Sequence, residues 1–343
     1  MEPRVAFLTP YGRSGSLLIQ SLLDDHSGVS TFPAWVRWDL VPDELFDVTK
    51  ELNNFISLNP GVFDLSKSYY GAQSTEIHLP ICSNENQFGP DRTSFKDAFY
   101  SVVSIDIRQK DVDELPALNK REFIIFLHQA LYISLGKALH NLRLIMIHIH
   151  FFSKDAIDLS RIFNDACYLI TIRDLREVWL STRNLNALRC RLNPNYRPGV
   201  GNISKFVSVM RGRFQDMLRV INPKKFKGQI VFIDLNTLHA NGEVLLKRLV
   251  SVLGLSWSPS LMSSTVYGYP WDGNIQGALD RSFSPSRSER KWKAELEVWE
   301  SSLLEKELQA ELLFFGYLIS GQAKKSQFYG AEKHGMLLNL ENL

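Results

Sequence analysis

The sequence has few cysteines and no long hydrophobic segment. Its three cysteines, Cys82, Cys167 and Cys190, lie far apart in the chain. This spacing excludes a disulfide-rich scaffold and a metal site built on CxxC pairs. No apolar run approaches the ~20 residues that a membrane-spanning helix needs, and the first residues lack the layout of a secretory signal peptide. We therefore expect a cytoplasmic protein without a membrane span.

The chain also lacks a large net charge. Its 39 Lys and Arg residues nearly balance its 37 Asp and Glu residues, which leaves a formal net charge of +2. Nonspecific binding of nucleic acid needs a much stronger basic field, so we expect no nucleic-acid partner. Any site for an anion must then be local. The composition, with 45% hydrophobic and 22% charged residues among 343, is typical of a globular enzyme.

Short apolar segments alternate with helical patterns along the chain. We predict strands over 5–9, 142–150, 167–172 and 229–234, and helices over 16–25, 43–56, 121–140, 155–165, 203–220, 242–254 and 291–318. Residues 184–204 and 256–290 are expected to be irregular, and 320–343 give only a weak signal. Alternating strands and helices indicate a parallel sheet that is covered by helices on both faces.

We interpret residues 1–320 as a single α/β domain and 321–343 as a C-terminal tail. The domain is predicted to have three layers, α/β/α, around a central parallel sheet. Residues 43–140 form a mainly helical insertion after the first βα unit. Insertions of this kind often carry substrate contacts in α/β enzymes.

The first predicted strand leads directly into a turn rich in Gly and Ser, residues 12–16, and then into a helix. Backbone N–H groups at such a helix start have no partner, and the helix dipole adds positive potential, so the turn is a candidate phosphate site. Serine hydroxyls can cap the helix or donate to phosphate, and Arg13 offers a fork of donors. A plain helix cap explains the same residues, so the turn alone is a weak signal. It is too short for a Walker A loop and has no Lys, which disfavours an ordinary ATPase or GTPase.

Two further segments are candidates for contact with phosphate. Arg173 follows the strand 167–172, and Ser181 lies eight residues later, about two helical turns away. They reach one phosphate only if Arg173 folds back over the helix start; a surface pair of Arg173 with Asp174 is the competing interpretation. The third segment, 284–293, is rich in Ser and basic residues. Cations at a helix start oppose the dipole, so an anionic partner is a reasonable explanation.

These segments together resemble the motifs of the PAPS-dependent sulfotransferases. Residues 11–18 resemble the 5′-phosphosulfate loop of that family, Pro-Lys/Arg-Ser-Gly-Thr-Thr. Residues 172–181 resemble its 3′-phosphate motif, Arg-Asp-Pro-Arg-Asp-Val followed by Ser, with the same interval from Arg to Ser. Residues 231–255 and 284–317 contain segments that resemble the later motifs of the family, in the same order.

The resemblance implies a fold like that of the P-loop NTPases, PAPS as co-substrate with PAP as product, and no metal. It implies contact with the 5′-phosphosulfate by Gly12, Arg13, Ser14, Gly15, Ser16 and Leu17. Arg13 would also stabilise charge on the bridging oxygen as the bond to sulfur breaks. Arg173 and Ser181 would hold the 3′-phosphate, and the residues expected to close over it are Ser286, Arg287 and Ser288.

The acceptor hydroxyl needs a general base. In cytosolic relatives the base is a histidine shortly after a strand, and His150 lies at the matching distance before Arg173. His148 points to the same side if the strand is regular. Other branches of the family use a carboxylate after the first helix, which makes Asp39, within the acidic segment 39–44, the second candidate. A histidine bonded to backbone at the end of a buried strand is the competing interpretation.

The acceptor is expected to be a small molecule, a glycan or a lipid with a hydroxyl or amine. We expect its pocket to include parts of 32–44, the insertion and 184–211. The aromatic and basic candidates there are Trp35, Trp38, Tyr196, Arg197 and Arg211, the two arginines for an acidic acceptor. Two other functions stay open, a P-loop-like kinase that uses ATP and a catalytically degenerate protein that binds PAPS or PAP. A homodimer also stays open.

Overall fold

A computed structural model describes residues 2–33, 36, 38–65, 89–110, 117–149, 154–221, 228–271, 283–284, 290–317 and 336–338. Its described strands are β1 (Arg4–Pro10), β2 (Val29–Thr31), β3 (Leu144–His148), β4 (Cys167–Ile172), β5 (Ile230–Asp234), β6 (Thr265–Val266), β7 (Tyr269–Pro270) and β8 (Met336–Leu338). The main sheet has the order β2-β3-β1-β4-β5-β8 with every pairing parallel. The predicted α/β fold around a central parallel sheet is confirmed.

Helices surround this sheet, and three of them lie in the described part of the segment between β2 and β3. Their bounds are α1 (Ser16–Asp24), α2 (Val48–Leu58), α3 (Arg92–Lys110), α4 (Lys120–Ser134), α5 (Lys154–Ile162), α6 (Leu175–Leu192), α7 (Ile203–Val220), α8 (Leu235–Leu253), α9 (Trp292–Glu295), α10 (Val298–Glu307) and α11 (Gln309–Phe314). The insertion, with α2, α3 and α4, is mainly helical as predicted.

The two faces of the sheet carry separate hydrophobic cores, because successive side chains of a strand point to opposite faces. Leu8 of β1 belongs to the core that contains α1 and α8. Phe7, its neighbour, packs on Tyr168 of β4 and on Phe163, in the core that contains the insertion, α6 and α7. The sheet is thus the middle of three layers.

The order of the strands reverses at β1, in the middle of the sheet. β1 pairs with β3 on one side and with β4 on the other, so the connections that follow them diverge. Ligands of open α/β sheets bind at the carboxyl ends of strands at such a point. Here those ends are Pro10, His148 and Ile172, with Asp234 of β5 beside them.

Several predicted boundaries are wrong. The helix expected over 121–140 ends at Ser134, since Gly136 takes a left-handed conformation (φ 75°) that closes helices. Residues 184–192, expected to be a loop, continue α6, which ends at Leu192. The next residue, Asn193, precedes Pro194, and a helical conformation is disfavoured before proline. The helix expected from 242 begins at Leu235, because the Asp234 side chain accepts a hydrogen bond from the N–H of Thr237.

The C-terminal region also differs from the expectation. The single helix predicted over 291–318 is divided into α9, α10 and α11. Met336–Leu338, where no element was predicted, pairs with β5 at the edge of the sheet. Within the described ranges no helix is long and apolar enough to cross a membrane, and no group of three or more His, Cys, Asp or Glu residues is placed to hold a metal ion.

A buried carboxylate attaches the small β6–β7 hairpin to α1. Asp24, the last residue of α1, accepts hydrogen bonds from the hydroxyl of Thr265 at 3.0 Å and the N–H of Gly268 at 2.9 Å. Burial is the largest influence on this group and raises the pKa of Asp24 above its usual range. The folded protein therefore holds a proton on Asp24 more tightly than the unfolded chain does.

We predict that Asp24→Asn changes how stability depends on pH. Because the folded-state pKa is raised, the contribution of Asp24 to stability is greatest at low pH and declines as the pH rises above about 4, the unfolded value. The free energy of unfolding of the wild type should fall relative to that of Asp24→Asn between pH 4.5 and 7.5, measured by urea titration. Asp25→Asn, the same change on an exposed neighbour, controls for the lost charge. Parallel pH profiles for the wild type and Asp24→Asn would contradict the prediction.

Candidate functional site

The turn between β1 and α1 presents a row of backbone donors at the carboxyl edge of the sheet. Gly12 (φ 79°) and Gly15 (φ 83°) are both left-handed, and Gly15 precedes the first residue of α1 without a side-chain cap. The N–H groups of Gly12, Ser14, Gly15, Ser16 and Leu17 have no acceptor among the described residues. Consecutive donors of this kind at a helix start form a concave site for an anion.

Helices α6 and α8 press on the turn from two sides. A Cβ atom on Gly12 would lie 2.7 Å from Cγ1 of Val178, and one on Gly15 would lie 2.4 Å from Cδ1 of Leu235. Neither space admits a side chain without a shift of its neighbour. The two glycines therefore let the helix starts crowd around the donor groups.

The two serines of the turn are engaged inside the protein. The buried hydroxyl of Ser14 donates to the carbonyl oxygen of Thr171 at 2.7 Å and contacts its hydroxyl at 2.9 Å. Ser16 Oγ lies 3.1 Å from Nε2 of His148 at the end of β3. Neither serine caps α1, contrary to one of the uses expected from the sequence. These bonds attach the turn to β4 and β3. Because the hydroxyl of Ser14 is engaged, its backbone N–H is the group that it can offer to a ligand.

Arg13 joins the first and second candidate motifs. Its Nε donates to Oγ of Ser181 at 2.9 Å, across 168 positions of sequence. Arg13 is exposed, and Ser181 lies in the second turn of α6. The residue expected at the 5′ end of the co-substrate therefore contacts the residue expected at its 3′-phosphate.

Arg173 folds back over the first turn of α6, as contact with a phosphate requires. It donates to Oε2 of Glu177 at 3.1 Å, while its Nε is buried with no partner among the described residues. The competing pair of Arg173 with Asp174 is not formed, because both oxygens of Asp174 accept from the buried guanidinium of Arg176. A buried N–H without an acceptor is costly, so an anion beside Arg173 would relieve that cost.

The contacts that Arg173 and Arg13 make with α6 lie on one side of that helix. Arg173 contacts Glu177, and Arg13 contacts Ser181, four residues further along the helix. Residues four apart share a helix face and are separated by roughly 6 Å along the axis. Two guanidinium groups at this spacing, next to the donors of the turn, suit a ligand with two separate anionic groups.

Glu177 also holds the start of the C-terminal helices. Its second oxygen accepts from the N–H of Trp292 at 2.9 Å, and the Trp292 ring lies 3.9 Å from the Arg176 guanidinium carbon. Upstream, the N–H of Ser284 donates to Nδ1 of His239 on α8. The ends of the predicted closing segment are thus attached to α8 and α6. Ser286, Arg287 and Ser288 themselves lie outside the described residues, and their roles stay predictions.

The structure describes only some of the residues considered for the general base. His150 lies outside the described residues. Asp39 belongs to a short 3-10 helix, Trp38–Leu40, but its side chain is outside the description as well. His148, half-buried beside Ser16, is the described histidine at this edge. Both base assignments stay predictions.

The structure separates the residues expected to line the acceptor pocket. Trp38 is buried and packs on Phe32, Phe55 and His128, so it belongs to the core. Arg211, about half of whose side chain is exposed, donates to the carbonyl and carboxylate of Glu307, and its contact with an acceptor stays a prediction. Tyr196 and Arg197 lie on the segment between α6 and α7, and Trp35 is outside the described residues.

Aromatic residues of the first motif and of the C-terminal motif support the site from behind. The hydroxyl of Tyr11 donates to the carbonyl of Met210 on α7, and its ring packs on Phe315. Burial lowers the pKa of nearby Arg213 to about 10. The hydroxyl of Tyr317 donates to the Asp234 carboxylate that caps α8, and burial raises its pKa, which keeps the phenol protonated.

Comparison with known proteins finds sulfotransferase domains among solved structures. The sulfotransferase domain of the Synechococcus PCC 7002 olefin synthase has a TM-score of 0.45 and 12% identity, over 90% of this chain and 95% of that one. The sulfotransferase domain of the curacin biosynthetic pathway has a TM-score of 0.43 and 14% identity, over 90% and 98%. Sulfotransferase STF9 from Mycobacterium avium has a TM-score of 0.42 and 14% identity, over 94% and 78%.

No protein-family model matches the sequence, and neither does any curated protein. Identities and TM-scores as low as those of the solved structures assign no function to this chain. A function can therefore be argued only from the residues at the carboxyl edge of the sheet.

We predict that Gly15→Ala destabilises the protein by about 2–4 kcal/mol. The left-handed backbone disfavours a Cβ by about 1–2 kcal/mol, and overpacking against Leu235 adds roughly 1–2 kcal/mol. The free energy of unfolding in urea measures the change. Gly199→Ala is the matched control, because no atom lies within 4 Å of the added carbon. A loss no larger than that of Gly199→Ala would show that α8 does not constrain the turn.

Proposed function

We propose that this protein transfers a sulfuryl group from PAPS to a hydroxyl or amine of an acceptor. The observation that carries the proposal is the hydrogen bond between Arg13 and Ser181. It brings the turn that resembles a phosphosulfate loop against the residue that resembles a 3′-phosphate ligand. The contact between two motifs that are remote in sequence supports the proposal that both belong to one site for a nucleotide with two anionic groups.

The described residues fit such a co-substrate. The N–H groups of Gly12, Ser14, Gly15, Ser16 and Leu17 offer donors to the 5′ group. At the other end, the buried Nε of Arg173 has no acceptor in the described part of the chain, and Ser181 offers a hydroxyl. PAPS supplies the sulfuryl group and leaves as PAP.

In the reaction, a bond forms between the acceptor oxygen and sulfur, and the bond from sulfur to the bridging oxygen of the 5′-phosphate breaks. The bridging oxygen keeps the electron pair, and Arg13 is proposed to stabilise the charge that develops there. The acceptor proton passes to a base, for which we propose His150, with Asp39 as the alternative. Positioning and charge stabilisation supply most of the catalysis in such an in-line transfer.

Two other functions are weighed against this one. A kinase would hold the phosphates of ATP, but the turn has no Lys of the Walker A type. A degenerate protein would bind PAP without catalysis. The arrangement around Arg173 favours a ligand with a second anionic group remote from the reacting end, a feature of PAPS that ATP lacks.

Ligand binding separates the co-substrates. Saturating PAP should raise the midpoint of thermal unfolding, since a ligand at 100 times its Kd stabilises the folded state by about 2.7 kcal/mol. ATP with magnesium should produce a much smaller shift. The reverse order would favour the kinase.

Transfer itself is tested with PAPS carrying labelled sulfate and a pooled library of hydroxyl and amine acceptors. The wild type should label at least one acceptor, and Arg13→Ala should abolish transfer, because the leaving oxygen loses its cation, while the fold is retained. Arg219→Ala, which removes an exposed arginine on α7, should keep full activity. Tight binding of PAP without labelling of any acceptor, cell extract included, would leave the degenerate protein as the function. Full activity in Arg13→Ala would remove that residue from the mechanism.

A separate prediction concerns the base. His150→Ala should lower kcat by about 10² or more with little change in the thermal shift by PAP, because a general base acts on the acceptor and not on the nucleotide. His140→Ala, which removes an exposed histidine on the 3-10 helix Leu139–Asn141, is the matched control and should keep the wild-type kcat. Wild-type kcat in His150→Ala would transfer the role to the acidic segment, where Asp39→Asn is the variant to measure.

A further inference from the structure

Positive charge is concentrated in one part of the chain. Between Val178 and Val220 the sequence has eight arginines and lysines and one acidic residue, Asp216, although the whole chain has a net charge of only +2. The cations of this segment are Arg183, Arg189, Arg191, Arg197, Lys205, Arg211, Arg213 and Arg219. Cations in such a local excess are solvated by water, paired within the protein or matched to an anionic ligand.

Part of this charge is neutralised within the protein. Arg183 pairs with Glu300, Arg211 with Glu307 and Arg219 with Asp216. The half-buried Arg213 lies next to Tyr11, behind the site. These four cations therefore have partners within the protein.

The other four have no carboxylate partner among the described residues. Arg191, Arg197 and Lys205 are exposed, and Arg189 is half-exposed. Arg189 donates to the hydroxyl of Tyr196 at 3.1 Å and lies over its ring, while Arg197 donates to the carbonyls of Pro194 and Tyr196. We call residues 189–205 the hairpin tip.

The hairpin tip extends from the site. Trp179 of α6 packs on Phe206 of α7, and Asn186, further along α6, donates to the carbonyl oxygen of Val200, which precedes α7. The chain therefore turns back after α6, and this turn lies in the tip. Arg189 and Arg191 lie eight and ten residues beyond Ser181, or roughly 12 and 15 Å along α6. A ligand that reaches both Arg13 and the tip must be longer than a single sugar or phenol.

We propose that the hairpin tip binds an acidic glycan and that this glycan is the acceptor. The proposal rests on the proposed function, because transfer requires a hydroxyl on the ligand. A carboxylated polysaccharide combines regularly spaced anions for Arg189, Arg191, Arg197 and Lys205 with free hydroxyls on every unit. Around these cations, the ring of Tyr196 and the amides of Asn193 and Asn195 provide the stacking and hydrogen-bonding groups that sugars use.

Other polyanions fit less well. The backbone of DNA has no free hydroxyl to accept a sulfuryl group, and a protein that tracks nucleic acid needs a longer basic surface. Binding to an anionic membrane would call for exposed apolar side chains beside the cations. Within the described part of the tip's neighbourhood the exposed large apolar residue is Leu188, 38% exposed.

Binding is tested with a fluorescein-labelled octasaccharide of polyguluronate, a carboxylated glycan without sulfate, by fluorescence anisotropy at low and high salt. The wild type should bind it, with an affinity that falls as salt rises, and should not bind maltooctaose, its neutral counterpart. Arg191→Glu with Arg197→Glu should weaken binding by about tenfold, since two attractions become repulsions. The control, Arg219→Glu with Lys247→Glu, changes the same charge at exposed positions on α7 and α8 and should weaken binding less than about threefold.

The outcomes distinguish this proposal from the proposed function. Equal losses in the two double variants, no binding by the wild type, or tighter binding of single-stranded DNA or of phosphatidylserine vesicles would each overturn the glycan assignment. The thermal shift by PAP is measured on the same proteins and should be unchanged in the tip variant. If polyguluronate binds through the tip but PAP does not stabilise the protein, the surface stands and sulfuryl transfer falls. If PAP stabilises the protein and polyguluronate does not bind, sulfuryl transfer stands without this acceptor.

Discussion

The unpaired N–H groups in the turn between β1 and α1 are the constraint on which the site depends. A row of donors without acceptors is tolerated only where water or an anion can reach it. Gly12 and Gly15 take left-handed conformations in this row, and a Cβ atom on either would require Val178 or Leu235 to shift. The starts of α6 and α8, which are capped by Asp174 and Asp234, lie beside the same turn.

The C-terminal helices support this point through buried ion pairs and hydrogen bonds. Arg176 is enclosed by Asp174, Glu305 and the ring of Trp292. Glu300 accepts from Trp179 and Arg183. Buried charges are stable only with complete partners, so α6 and the C-terminal helices hold one another in a fixed relation. Glu177 connects that framework to Arg173, the residue expected to contact a phosphate. The orientation of Arg173 thus depends on a segment that lies more than a hundred residues later in the chain.

Positive charge is divided between two places with different surroundings. Around the turn, cations are few and held by hydrogen bonds to Ser181 and Glu177, which suits a small ligand of fixed shape. On the hairpin tip, cations are exposed and without carboxylate partners in the described chain, which suits a longer ligand held by many weak contacts. A local charge in water contributes little alone but adds up along a polyanion. The net charge of +2 conceals this division.

The sequence by itself determined the alternation of strands and helices, the position of the Gly-rich turn and the identity of most candidate ligands, because these depend on local pattern and on residue type. It did not determine the end of α6 at Leu192 or the start of α8 at Leu235, since both depend on capping and on packing against other segments. From the sequence alone a surface pair of Arg173 with Asp174 was the favoured interpretation of that segment, but Arg176 binds both oxygens of Asp174. Only the tertiary structure decided that Arg13 donates to Ser181. It also decided that Arg211 pairs with Glu307, whereas Arg197 donates to backbone carbonyls. Hydrogen bonds between distant segments follow from which strands are neighbours, and no local pattern encodes that order.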